Sequence, residues 1–309
     1  MKKLLFLAVA AFGVMFTSCS KDDHASNLKT MTFNVSTPEF DTRAYGDGFT
    51  AESLVVAVYD VADNNRELSE IRYVDGAAFA GDVLETTVQF RLVSGKTYDF
   101  VFYASAPAAT DHYTFDPATG VLSVNYTNIK ANNENLDAFV AYRREVNDGT
   151  PKEDVILTRP FAQVNVGTSD YDSAVKAGVK VTKTAMTLQA YQTLDIKSGK
   201  VGEPTMLDIN FAEDTMPNAT LTTKDGTNYK WLSMNYILVE LTDPADKNDN
   251  ELITCKFKTD DPSYAERTWS WVPVKRNYQT NIVGNILTST TDFKVIIRPI
   301  FPDSYTEVR

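Results

Sequence analysis

Residues of the types that perform catalysis or bind metals are sparse in this sequence of 309 residues. Its two histidines, His24 and His112, cannot build a histidine-based triad or a multi-histidine metal site. The acidic stretches 243–250 and 260–261 offer oxygen ligands, but they lack the glycine and the final glutamate of an EF-hand loop, so solvated turns are the favoured interpretation. We therefore expect no catalytic residue, no metal site and no cofactor.

An apolar stretch at residues 4–16 follows two lysines and ends shortly before Cys19. This layout is typical of a secretory signal, and the stretch is too short to span a bilayer permanently. The residues directly before the cysteine, Phe16-Thr17-Ser18, resemble the bacterial lipobox, although that pattern prefers leucine where Phe16 stands. The resemblance implies a lipoprotein signal peptide at residues 1–18 and an acylated Cys19, which would hold the protein on a membrane.

Ser20, Lys21, Asp22 and Asp23 follow the cysteine and form a solvated charge cluster. Directly after a lipobox, they resemble the tag of one lysine and two acids that sends Bacteroidetes lipoproteins to the outer face of the outer membrane. We therefore interpret residues 19–30 as a tether that carries an export tag. The expected location is the outer membrane at the cell surface.

Removing residues 1–18 leaves 291 residues (309 − 18), enough for two domains at roughly 100 to 200 residues each. The formal net charge of −11 becomes −13 (−11 − 2) once the two lysines of the signal peptide are gone. Because no basic cluster is available to release counterions, a nucleic-acid partner is disfavoured. Cys255 alternates with apolar residues in a strand pattern, so we expect its thiol to be buried and structural.

Short β patterns separated by turn dipeptides, such as Ser94-Gly95 and Asp225-Gly226, run through the rest of the chain. One short helix is predicted from Asp170 to Gly178, because acidic residues lie at its start and a glycine at its end. The pattern predicts an all-β fold with two β-sandwich domains in tandem, at residues 31–172 and 173–309.

Met31, Phe33 and Val35 alternate with polar residues, which predicts a strand with one buried face. Arg43 follows in a segment that contains a proline and two glycines, so it should be exposed and open to proteolysis. A cut between Arg43 and Ala44 would release the strand and leave an apolar groove behind it.

A second alternating segment lies at residues 293–301, where Phe293, Val295 and Ile297 fall on one face. Its pattern is interchangeable with that of the first strand, as donor-strand exchange between copies of one protein requires. Alternating terminal strands are also common in closed β-sandwiches, and from the pattern alone this ordinary interpretation is favoured.

Residues 157–164, 231–238 and 275–288 resemble recurrent segments of the fimbrillins, the type V pilins of Bacteroidetes. With the lipobox, the export tag and Thr42-Arg43-Ala44, the resemblance runs from Cys19 to the C-terminus. It implies transthyretin-like β-sandwich domains, cleavage after Arg43 by an arginine-specific protease, and assembly with other pilin subunits by strand exchange. It therefore favours the exchange interpretation of the terminal strands. Whether the subunit would be a stalk, an anchor or a tip stays open.

Trp269 and Trp271 lie two residues apart on a predicted strand and should share a face. As a platform for sugar rings they would support an alternative function, a monomeric, surface-exposed glycan-binding lipoprotein of a nutrient uptake system. Burial in the second domain is the favoured interpretation, because large aromatic side chains mostly serve burial. The two functions differ in assembly, since only a pilin should form oligomers after the cut.

Overall fold

A computed structural model describes residues 27–37, 51–62, 65–74, 85–149, 151–240 and 250–299 of the chain. These residues form mostly strands, with one α-helix, α1 (Tyr171–Lys176), and 3-10 turns that include Pro107–Asp111 and Glu134–Leu136. The predicted all-β fold is confirmed. The helix expected from Asp170 to Gly178 is present, and Gly178 follows it with a φ of 98°, a left-handed conformation that glycine adopts without steric cost.

The described strands before residue 160 are β1 (Leu28–Ser36), β2 (Ser53–Ala62), β3 (Asn65–Val74), β4 (Glu85–Val93), β5 (Tyr98–Ser105), β6 (Tyr113–Asp116), β7 (Val121–Val124), β8 (Ala138–Val146) and β9 (Lys152–Ile156). Seven of them form the two sheets of an N-terminal sandwich, with the orders β4-β1-β9 and β3-β2-β5-β8. Their neighbours are antiparallel except for β1 and β9, which are parallel.

Strand β5 shows how this sandwich is packed. Phe100 and Phe102 face the β4-β1-β9 sheet and belong to the core between the two sheets. Val101 and Tyr103 face the other way and belong to a second, larger core. Every residue of β5 is therefore buried, and the four-stranded sheet is covered on both faces.

The remaining described strands are β10 (Phe161–Thr168), β11 (Lys183–Ala190), β12 (Thr193–Asp195), β13 (Leu207–Thr215), β14 (Thr220–Thr222), β15 (Asn228–Leu238), β16 (Glu251–Thr259), β17 (Arg267–Val274), β18 (Tyr278–Gly284) and β19 (Phe293–Pro299). They form a C-terminal sandwich with the sheet orders β14-β15-β10-β18-β19 and β13-β11-β16-β17. β12 lies outside both sheets. β10 and β18 are parallel, and the other neighbours are antiparallel.

A third layer joins the two sandwiches. β12 of the C-terminal half pairs with β7, and β7 pairs with β6, so one small sheet contains strands from both halves of the chain. Tyr103 of β5 stacks on Phe115 of β6 with ring centroids 5.1 Å apart. The larger core begins at this face of β5 and continues to Val164 and Trp269 in the C-terminal sheets. The outer face of the four-stranded N-terminal sheet therefore shares one apolar core with the C-terminal sandwich, whereas the core between the two N-terminal sheets is a separate cluster.

The division between the sandwiches lies in the short connection between β9 and β10. β10 precedes the domain boundary predicted at residue 172, yet it hydrogen-bonds to β15 and β18 of the C-terminal sandwich. In the connection, the fully buried Arg159 donates from Nε (2.8 Å) and Nη2 (2.6 Å) to the carboxylate of Asp137, which is also fully buried. The Arg159 guanidinium also lies 5.0 Å from the ring centre of Phe139. A buried, charge-assisted contact thus fixes the junction.

Candidate functional site

β1 is the central strand of its sheet. It pairs with β4 along its whole length, from Leu28 opposite Val93 to Ser36 opposite Glu85. On its other side, residues 32–36 run parallel to residues 152–156 of β9. Because β4 and β9 do not pair with each other, removing β1 would open a groove with unpaired backbone groups on both walls.

The side chains predicted to form the buried face of β1 fill this groove. Met31 is 3% exposed, and Phe33 and Val35 are fully buried. The Phe33 ring lies among three others, with centroid distances of 4.5 Å to Phe100, 5.4 Å to Phe102 and 6.1 Å to Phe90. These separations are those of favourable aromatic pairs. Phe33 is therefore the central contact of β1 with the sandwich.

The opposite face of β1 is half-exposed and polar. Asn34 donates from Nδ2 to Oδ1 of Asp154 on β9 at 2.7 Å, and Thr87 on β4 donates to Oδ1 of Asn34 at 3.3 Å. Both bonds are exposed to solvent. They fix the alignment of the strand but add little to the free energy of unfolding, so β1 is held mainly by its apolar face.

A small polar contact secures the start of β1. Asp148 accepts hydrogen bonds from Oγ of Ser94 (2.5 Å) and from the backbone N–H of Gly95 (3.3 Å), and Lys29 Nζ lies 2.9 Å from the same carboxylate. The Ser94 hydroxyl, together with the charge of Lys29, lowers the pKa of Asp148 to about 2. The carboxylate is therefore ionised at neutral pH and keeps Lys29 at the end of the groove.

Thr37 lies just beyond β1 and was not singled out from the sequence. It is 2% exposed, and its hydroxyl has no hydrogen-bond partner among the residues that the structure describes. A buried hydroxyl without a partner is unfavourable. Its place in the alternation after Met31, Phe33 and Val35 is the sequence signal that could have identified it.

Several predicted site residues lie outside the described ranges, namely Cys19, Ser20, Lys21, Asp22, Asp23, Arg43 and Ala44. The signal peptide, the lipid site, the export tag and the processing site therefore stay predictions. The strand that precedes Arg43 in the chain is the one that occupies the groove.

β19, which the sequence predicts as a donor strand, is an edge strand. Within the described part of the chain it borders only β18, with Phe293 opposite Gly284 and Ile297 opposite Thr280. Phe293 is 38% exposed and lies 5.9 Å from Trp269, measured between ring centroids. Val295 and Ile297 are half-buried. The apolar residues of β19 are therefore much less enclosed than those of β1.

The two tryptophans do not share a face, so the predicted sugar platform was wrong, and the predicted burial holds for Trp269 alone. Trp269 is buried, whereas Trp271 is 77% exposed and has a φ of 63°. The pairing of β16 with β17 also shifts register between Ile253 and Cys255. This irregularity turns the chain at Trp271 and breaks the alternation on which the prediction depended.

The stretch 243–250 lies almost entirely outside the described residues. Asp260 accepts hydrogen bonds from the backbone of Thr182 and Lys183, and Asp261 accepts one from Lys180. Among the described residues, no group of three or more His, Cys, Asp or Glu side chains is placed to hold a metal ion. Nor does this part of the chain contain a helix long and apolar enough to cross a membrane.

Cys255 on β16 is fully buried, and burial raises the pKa of its thiol. A thiol of this kind is poorly reactive.

Comparison with known protein families identifies the family of this chain. A family model for proteins of unknown function (DUF6562) matches residues 23–308. The chain belongs to the DUF6562 family. No curated protein sequence matches this DUF6562 chain.

Two solved structures illustrate its structural similarities. One is a fimbrial assembly protein from Parabacteroides distasonis, with 12% identity, a TM-score of 0.47, and coverage of 88% of this chain and 96% of that one. The other is the tip fimbrial protein Mfa3 from Porphyromonas gingivalis, with 11% identity, a TM-score of 0.45, and coverage of 87% of this chain and 99% of that one.

Proposed function

We propose that this DUF6562 chain is a structural or accessory subunit of a fimbria that supports adhesion and has no enzymatic activity. In this proposal the chain is exported as an outer-membrane lipoprotein acylated on Cys19. An arginine-specific protease cuts it after Arg43. The mature subunit then assembles with other pilin subunits by donor-strand exchange at the cell surface.

The observation that carries the proposal is the way in which β1 is bound. It is the central strand of its sheet, and its three inward side chains are buried in an aromatic core. After a cut at Arg43, β1 would be separate from the polypeptide that forms the rest of its sandwich. Loss of three large buried apolar side chains would lower the free energy of unfolding by roughly 5 to 9 kcal/mol, at about 1.5 to 3 kcal/mol for each. That amount is comparable to the stability of a whole domain, so an open groove would need a replacement strand.

The contrast between the two terminal strands supports the same proposal. β19 has apolar residues of the required alternation, but in its own subunit these are only partly enclosed. Transfer into a neighbour's groove would bury them and would pair the backbone of β19 on both sides instead of one. Exchange therefore has a favourable direction, from an edge position to a central one.

Limited digestion with an arginine-specific protease tests the maturation step. We expect a cut after Arg43 to precede cuts elsewhere and to produce a ladder of oligomers on gels run without boiling. Arg43→Ala should abolish both the early cut and the ladder. Arg144→Ala is the matched control, because Arg144 is an exposed arginine within a folded strand. A cut chain that stays monomeric would refute strand exchange.

Deletion of residues 293–309 tests the donor. The shortened chain should stay folded while Arg43 is uncut, because the described part of β19 contributes no fully buried side chain. After cutting, it should no longer donate a strand, and polymers should not grow. Equal polymer growth with and without residues 293–309 would show that another segment fills the groove.

Labelling with radioactive palmitate tests the anchor. Cys19→Ala should lose the label and should no longer partition with membranes. Cys255→Ala is the control, since this thiol is buried in the folded chain. Label retained by Cys19→Ala would exclude that residue as the lipid site.

A further inference from the structure

The register in which a donor strand enters the groove can be inferred from side chains on both strands, an inference that rests on the strand exchange proposed above. A shift of two residues keeps the same face inward, so alternation alone permits several registers. The order of the apolar residues suggests that Phe293 replaces Met31. The contacts of β1 favour a different alignment.

We propose that the donor enters with Phe293 in the place of Phe33, Val295 in the place of Val35 and Ile297 in the place of Thr37. The inward residues at the centre of the groove are decisive, while Thr291 would take the place of Met31 at its start. The segment Phe33-Asn34-Val35 and the segment Phe293-Lys294-Val295 carry the same two inward side chains at the same spacing. The donor ring would therefore enter the cluster in which the Phe33 ring lies 4.5 Å from Phe100 and 5.4 Å from Phe102.

The end of the groove favours the same register. Thr37 is buried there, with a hydroxyl that has no hydrogen-bond partner among the described residues. Ile297 in its place would supply apolar contacts and remove the unpaired hydroxyl. In the alternative, unshifted register, Phe293 would replace Met31 and Val295 would occupy the position of Phe33. The smaller side chain would then leave part of the aromatic site empty.

Outward residues fit the proposed register as well. The observed contact of Asn34 with Asp154 shows that side chains at these two positions touch. In the proposed register Lys294 takes the position of Asn34, opposite Asp154. Asp292 takes the position of Thr32, opposite Lys152. Both contacts would join opposite charges.

The unshifted register would bring Lys294 opposite Lys152, which is a like-charge contact. It would also bring Asp292 opposite Arg91 and Arg298 opposite Glu85, two favourable contacts. Exposed ion pairs contribute little, so surface charge does not decide between the two registers. The fit of the aromatic ring in the centre of the groove does.

Disulfide trapping between two chains tests the register. The acceptor carries Thr87→Cys, since Thr87 lies on β4 opposite position 34, and it is cut after Arg43. The donor carries Lys294→Cys, and the matched control donor carries Ile296→Cys, which is on the same face two residues further along. All chains carry Cys19→Ser, and Cys255 is buried. Mixing separate variants ensures that any disulfide between the new thiols joins two molecules.

We expect the Lys294→Cys donor to give a cross-linked dimer on non-reducing gels and the Ile296→Cys donor to give none. Polymers that cross-link through Ile296→Cys, or through neither donor, would overturn the proposed register and leave strand exchange standing. If cut chains without new cysteines form no polymers, the proposed function fails and the register fails with it. Polymer formation by cut chains without new cysteines therefore distinguishes a failure of the register from a failure of the proposed function.

Discussion

β1 and β10 occupy the same position in their two sandwiches. Each has an antiparallel neighbour on one side, β4 or β15, and a parallel neighbour on the other, β9 or β18. Each also carries an asparagine, Asn34 or Asn165, that donates from Nδ2 to a side-chain oxygen on the parallel neighbour. Because the two strands have neighbours in the same arrangement, they can be compared residue by residue.

Their surroundings differ on one face only. β1 has a buried apolar face and a half-exposed polar face, whereas every residue of β10 is buried. Asn165 bonds to Asn281 at 2.7 Å and accepts from Gln163 at 3.1 Å, and all three residues are fully buried. A strand held by one apolar face can be replaced by another strand with the same alternation. A strand held by two faces and by internal hydrogen bonds is much harder to replace, so of these two similar positions only that of β1 fits the exchange proposed above.

Phe33→Ala should have the largest effect on this comparison. Removing the ring from the aromatic cluster should lower the free energy of unfolding by about 3 to 5 kcal/mol in the uncut chain. Urea unfolding measures the change. Asn34→Ala on the half-exposed face is the control and should stay within about 0.5 kcal/mol of the natural chain. A Phe33→Ala variant as stable as the control would mean that β1 is not held by its apolar face.

Asp137→Ala tests whether the two sandwiches, which contain β1 and β10, unfold as one unit. The change would leave the Arg159 guanidinium without its buried carboxylate and should cost about 3 to 5 kcal/mol. Because the four-stranded N-terminal sheet contributes to both cores, we expect one calorimetric transition for both sandwiches, shifted to lower temperature. Glu145→Ala removes an exposed partner of Arg144 and should change little. Two separate transitions in the natural chain would contradict the shared core.

Asn165→Ala and Asn34→Ala form the sharpest pair, because the two asparagines are equivalent in position. Asn165→Ala removes the buried donor to Asn281 and the buried acceptor of Gln163 Nε2, so it should cost about 1 to 3 kcal/mol. The cost of Asn34→Ala should be much smaller, because its bonds are exposed. Equal costs in urea unfolding would show that the second buried face of β10 does not distinguish it from β1.

The smallest effect should come from the contact at the start of β1. Asp148 has a pKa of about 2 in the folded chain, against about 3.9 for an unperturbed aspartate, so its carboxylate stabilises the fold above pH 4 and loses this contribution as the pH falls towards 2. Melting temperatures of the natural chain and of Asp148→Asn, measured from pH 6 to pH 2, check this. The two curves should differ most above pH 4 and converge at the acidic end. A constant difference would mean that the charge of Asp148 is irrelevant.

The sequence revealed the strands whose side chains alternate most regularly. β1 and β19 were predicted in this way, since their apolar residues recur at every second position. β3 gives no such signal, because it is an edge strand rich in charged residues and lacks a clear apolar face. The strand pairs that matter most here, β1 with β9 and β10 with β18, join residues more than 100 positions apart. Such pairing leaves no local signal.

Two single residues show other limits. Arg159 lies in a segment that resembles a fimbrillin sequence, but its complete burial depends on Asp137, which local pattern cannot pair with it. Trp271 follows Trp269 by two residues, so alternation predicts the same face for both. A positive φ at Trp271 breaks this alternation, and its side chain is exposed. The predicted site is similar: β1 could be inferred from alternation, whereas the buried, unpartnered hydroxyl of Thr37 became visible only with the neighbouring strands in place.

The small sheet of β6, β7 and β12 has a mechanical consequence. Since strands from both halves of the chain are hydrogen-bonded in it, and since the larger core runs through it, the described residues of this layer couple the two sandwiches directly. Tension applied at the groove would pass through the whole molecule to the C-terminal strand. In the fibre proposed above, bending would be concentrated at the joints between chains, and the stiffness of the filament would depend on how tightly each exchanged strand is bound.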